Sequence, residues 1–222
     1  MTTKVEIKML NPGNKFVYGN KESIVLDNME DGVLCMVMDE SYKCDFDRDN
    51  HNNFAESTLR TKLNADYMKH WIEEEANFRD FVEMEVDLTT DDGLCDYDVC
   101  ITYLAPRTCE QHRQYRKIIP SINGINDWEW TATACSTKSN GYSSVRAVNS
   151  DGSFGYGTAN IVTIVRPTFK LKLDTEVEVE SSQTVDSDAD KTKTSLIDSM
   201  QNLVDQYGFP EVMETLAKVI AG

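Results

Sequence analysis

Long apolar runs are missing from this 222-residue chain, and basic side chains are scarce. No stretch approaches the roughly 20 apolar residues that span a bilayer, so insertion as a membrane helix is not expected. The opening segment from Met1 to Leu10 has no apolar block of the signal-peptide kind, and the chain is expected to be cytoplasmic or virion-associated. Twenty-two Lys and Arg stand against 38 Asp and Glu, a formal charge of −16. Such a surface repels phosphate, which argues against nucleic-acid binding and adhesion to anionic membranes. Only three histidines occur, His51, His70 and His112, too scattered for a triad. There is no G-x-S-x-G elbow and no phosphate-binding glycine loop. With no catalytic constellation, the chain is expected not to be an enzyme.

What is present suits an ordered domain. Apolar residues make up 40% and aromatics 9%, and the length suffices to bury a core without covalent staples. Six cysteines (35, 44, 95, 100, 109 and 135) are an even number, but without a secretion signal they are expected to be reduced thiols. Cys35 and Cys100 sit in apolar contexts that look like core strands. Cys95, Cys100, Cys109 and His112 do not follow the spacing of common zinc modules.

Composition divides the chain at about Leu173. Residues 1–173 carry nearly all the aromatics and are expected to form an α+β domain. Short strands are expected near Lys4–Met9, Ser23–Asp27 and Val33–Met38, then a helix over Ala55–His70 and another over Cys109–Ile119. A strand-and-turn array follows over Trp128–Cys135, Ser143–Asn149, Phe154–Tyr156, Asn160–Val165 and Thr168–Leu173. Residues 174–193 are rich in Asp, Glu, Ser and Thr and read as an acidic linker, although Thr175–Glu180 alternates like a strand. Residues 194–222 show two apolar stripes at helical spacing, separated by Gly208-Phe209-Pro210, and read as a helical hairpin. Helices this short need a surface to dock on, either the main domain or a second molecule, through partner capture or self-association.

Two candidate sites emerge. Asp45, Asp47, Asp49 and Glu56 occupy the first, third, fifth and twelfth positions of an EF-hand-like loop, with Asn50 at the left-handed turn, so calcium is the one cofactor to consider. The other reading of that segment is a polar loop leading into a helix, with Glu56 favouring the helix N-terminus. The late loops, Lys138–Ser143 and Ser150–Gly157, mix Tyr, Ser, Asn and Gly in the manner of adaptable recognition surfaces. Asn140, Tyr142, Asp151, Phe154 and Tyr156 are the candidate ligand contacts; plain tight turns use the same residues. Arg166, before Pro167, reads as an internal ion pair anchoring its strand.

Several blocks also resemble a family. Ser57-Thr58-Leu59-Arg60-Thr61-Lys62-Leu63-Asn64 is similar to the S-x-L-R-x-x-L-N helix of a domain family of unknown function in bacteria and their phages. Tyr103-Leu104, Tyr115–Pro120 and Trp128-Glu129-Trp130-Thr131 resemble its middle, and Val148–Gly152 with Val165-Arg166-Pro167 resembles its end. The likeness covers about Phe16 to Leu173. It departs from the pattern after the tryptophan block, where Thr131-Ala132-Thr133-Ala134 replaces an Arg-Ser or Arg-Thr pair. The resemblance implies a C-type-lectin-like domain, related in fold to formylglycine-generating enzymes, with two helices beside twisted antiparallel sheets and loops presenting a binding face. The oxidase branch of that fold binds copper through a cysteine pair near its C-terminal part; Cys135 alone stands there, which argues against that activity. The expected function is therefore a non-enzymatic module binding a protein or glycan, on a phage or prophage virion or in host-surface recognition. The alternative is an acidic intracellular inhibitor, mimicking nucleic acid, of a host nuclease or other DNA-binding protein.

Overall fold

The computed structural model describes residues 2–123 and 127–180; the helical hairpin expected over 194–222 and most of the acidic linker lie outside the described residues. In chain order the elements are β1 (Thr2–Glu6), β2 (Lys15–Tyr18), β3 (Lys21–Met29), β4 (Gly32–Val37), β5 (Lys43–Asp45), α1 (Thr58–Lys62) and α2 (Met68–Glu73). Then come β6 (Phe81–Val82), β7 (Met84–Val86), β8 (Cys100–Thr102), β9 (Ala105–Pro106) and α3 (Cys109–Tyr115). The late array is β10 (Trp128–Ala134), β11 (Ser144–Asn149), β12 (Phe154–Thr158), β13 (Val162–Ile164), β14 (Pro167–Leu171) and β15 (Glu176–Glu180). The fold is α+β, with mainly antiparallel sheets.

The larger sheet runs β1-β15-β2-β3-β4-β14, and the far edge of β14 is shared by β6 and β9. A second sheet runs β12-β11-β10-β13-β5, and β7 pairs with β8 alone. Strand β4 is buried at every position, which explains its unbroken run Gly-Val-Leu-Cys-Met-Val: both faces of a central strand are covered. Strand β15 alternates, with Val177 and Val179 buried and the glutamates outward. It pairs with β1 along its whole length, so the ordered domain continues beyond Leu173, where composition placed its end, and into the expected linker.

The expected helix over 55–70 is two short α segments joined by one widened turn, Leu63–Tyr67. It starts later than expected because Phe54–Glu56 forms a separate 3₁₀ turn and the Ser57 hydroxyl caps the helix at Arg60 N, 3.0 Å. Leu59, Leu63, Met68 and Trp71 turn inward. Trp71 meets Tyr18, Tyr67, Phe81 and Phe169 edge-on at 4.9–6.3 Å, and its indole N–H donates to Tyr18 O. Helix α3 opens on a capping box between Thr108 and Gln111. All six cysteines are free thiols, and Cys35 and Cys100 are buried in β4 and β8.

Candidate functional site

The chemistry concentrates where the two sheets meet. Strands β9 and β14 pair antiparallel, with Ala105 opposite Thr168 and Pro106 opposite Pro167. One more step of that register sets Arg107 against Arg166, and both are almost wholly buried. Like charges opposed in this way repel. The carboxylate of Glu129, from β10, lies between them and pairs with Nη1 of Arg107 and Nε of Arg166. Arg166 therefore has the internal ion pair expected of it. Its two Nη groups donate to Pro120 O at 3.2 and 3.1 Å, tying the segment after α3 to β14.

His112 completes the network. Arg107 Nε–H donates to His112 Nδ1 at 3.2 Å. An arginine cannot accept, so Nδ1 is unprotonated and the ring proton sits on Nε2, which donates to Gly152 O at 3.1 Å. Burial, and then the charge of Arg107, push the imidazole down to about 4, so it is neutral at physiological pH. Burial also draws Arg166 down, to about 10, which leaves it charged at neutral pH.

Above this network is a cavity of about 70 Å³ lined by Arg107, His112, Arg116, Ser121, Asn149 and Arg166, among others. It lies between α3, the segment Ile119–Ile122 and the turn joining β11 to β12. Gly152 in that turn has φ +78°, and a Cβ there would stand 3.3 Å from Arg116 Nη2. Glycine thus serves both the left-handed backbone and the close approach of Arg116.

The five expected ligand contacts do not form one site. Asp151 lines the cavity, but its Oδ1 accepts Ser153 N at 2.8 Å and Ser153 Oγ at 2.6 Å, which holds its carboxyl below the usual range. Phe154 packs edge-on to His112, 5.1 Å between ring centres, with the Arg113 guanidinium 5.1 Å from its ring. Asn140 and Tyr142 lie at the opposite end of β11, about 17 Å away for five strand steps. Tyr156 stands between, opposite Arg146, and is 66% exposed; Tyr142 is 52% exposed. Gly157 lies against the rings of Trp128 and Trp130, so the hairpin rests on the tryptophan block.

The calcium loop is not assembled. Asp45 pairs with Lys62 at 2.7 Å. Asp47 Oδ1 accepts Thr58 N and Oγ1 at 3.0 and 2.9 Å, and its Oδ2 accepts His51 N at 2.9 Å. Its lone pairs serve the helix start, the polar-loop reading of the segment, while Asp49 and Glu56 are exposed. Among the described residues no three His, Cys, Asp or Glu side chains gather to hold a metal. Asn50 does take the left-handed turn, at φ +60°. Asn52 is buried and bonds Ser136 O, Ser144 O and the Tyr97 hydroxyl, fixing this loop to the late hairpin.

Arg107, Glu129 and the role of His112 were not singled out from sequence; the mirrored Pro106-Arg107 and Arg166-Pro167 were the available signal. Comparisons with protein-family models, curated proteins and solved structures find no match.

Proposed function

We propose that this chain is a non-catalytic recognition module of C-type-lectin-like architecture, carried by a phage or prophage virion and binding a protein or glycan on a host surface. The carrying observation is the pair of exposed tyrosines, Tyr142 in the β10–β11 connection and Tyr156 on β12, on neighbouring strands that rest on Trp128 and Trp130. Exposed aromatics on packed strands give contact area at little entropic cost. Phe154 supports the hairpin from beneath and is not a contact in this reading.

The test is binding of the fluorescently labelled full chain to a panel of bacterial cells and to a glycan array, beside the double variant Tyr142→Ser/Tyr156→Ser. Saturable binding by the wild type, weakened at least about tenfold in a variant that melts normally, supports the reading. Undiminished binding by the variant, or no binding to any cell or glycan, rejects it. Salt-reversible capture of basic proteins, indifferent to the tyrosines, would favour the acidic-inhibitor alternative.

A further inference from the structure

We propose that the cavity beneath the β11–β12 turn is a binding site for a small oxyanion, a phosphate or carboxylate group, held by Arg107 and Arg116. The first ground is charge. Two buried guanidiniums share one carboxylate, and among the described residues neither Arg107 nor Arg166 has a second acidic partner within ion-pair distance. Glu40 acts on Arg166 only from farther off. A net positive charge sealed from water is costly unless an anion reaches it.

The second ground is the set of unspent donors. Nε and Nη1 of Arg107 are taken by His112, Glu129 and the Met36 sulfur, whereas Nη2 has no protein acceptor among the described residues. Arg107 lines the cavity, so these protons are free for what fills it. Arg116 is exposed, lines the same cavity and makes no ion pair among the described residues. The Ser121 hydroxyl and the Asn149 amide, whose Nδ2 also donates to Ser153 Oγ at 3.0 Å, are further polar groups in the lining. Asp151 is the one carboxylate there; its Oδ1 accepts from Ser153, and its charge acts on Arg116 without an ion-pair contact among the described residues. His112 adds no charge, and its Nε2 proton is committed to Gly152.

Size narrows the ligand. About 70 Å³ accommodates a few waters or one small oxyanion, not a nucleoside or a sugar ring. The ligand is thus a free ion or the terminal group of something larger. The chain's −16 charge opposes the approach of any anion, so binding rests on short-range contacts and is of millimolar order, about 1 mM. The site is independent of the tyrosine face, since neither Tyr142 nor Tyr156 lines the cavity.

The experiment is calorimetry of the full chain with inorganic phosphate, phenyl phosphate and acetate at constant ionic strength, with chloride as control. Expected is one saturable site for phosphate or acetate, weakened about tenfold by Arg116→Ala and abolished by Arg116→Glu. Arg107 Nε–H, followed by NMR, should shift on addition of phosphate to the wild type. Binding of phenyl phosphate as well would make the pocket a receptor for an end group; binding of inorganic phosphate alone would make it a free-ion site. Phosphate affinity should be unchanged in Tyr142→Ser/Tyr156→Ser, so this proposal and the recognition reading fail separately. No heat above the chloride control, or full affinity in Arg116→Glu, overturns it.

Discussion

Replacing Glu129 with Gln keeps the shape of the buried network and removes its one negative charge. Arg107 and Arg166 would then oppose each other in an almost water-free site with no counter-ion from the described residues. Removing one member of a buried pair costs about 3–5 kcal/mol, and here two cations lose their partner at once, which places the loss toward the upper end. For a domain of this size that lowers the melting temperature by roughly 6–20 °C. Urea unfolding followed by circular dichroism at pH 7 measures it, as a lower midpoint at unchanged slope. The companion variant Arg107→Met/Glu129→Leu/Arg166→Met should recover most of the loss, because the penalty comes from uncompensated charge and not from lost volume. A loss below about 1 kcal/mol in Glu129→Gln would refute the reasoning, since the two guanidiniums would not then depend on that carboxylate.

Asn64→Leu should cost about 3 kcal/mol, because Asn64 bonds Tyr103 N, Leu104 N and Leu104 O at 2.9–3.1 Å and nothing else replaces it. Faster hydrogen exchange at Leu104 would locate the damage. Asp47→Ala should destabilise by about 1–2 kcal/mol, equally in calcium and in EDTA, as expected of a carboxylate spent on Thr58 and His51; a calcium-dependent difference would restore the metal reading. His112 titrates near 4 in the fold against an ordinary value of 6.5, so between these values the unfolded chain binds more protons. Its contribution to stability is whole above pH 6.5 and is lost as the pH falls to about 4. Urea midpoints of His112→Gln should accordingly fall less steeply over that window than those of the wild type.

Much of the fold was legible because local rules and burial agreed. The unbroken apolar run of β4 and the periodicity through Leu59 and Leu63 each had one physical reading. Strands β6 and β9 were invisible, since two residues carry no period and exist only because β14 offers them an edge. Strand β15 was visible as alternation but was outweighed by the acidic composition around it. The Asp45–Glu56 spacing did not show the nearer partners these carboxylates take: Lys62 for Asp45, and the start of α1 for Asp47. Of the Arg–Glu–Arg network only the internal ion pair of Arg166 was legible; its other members, Glu129 and Arg107, were not. The network depends on the register of Pro106 against Pro167, far apart in the chain, and on a third strand bringing Glu129 between them. The tyrosines, by contrast, were found by residue type; the structure separates Tyr142 from Asp151 and Phe154 by the length of β11 and sets Tyr156 two residues along β12 from Phe154.

The most direct measurement is a crystal structure of the full chain grown in phosphate. The account predicts an oxyanion in the cavity, contacting Arg107 Nη2 and Arg116, with Glu129 still between Arg107 and Arg166. A cavity holding only water, with Arg116 turned away into solvent, would contradict it.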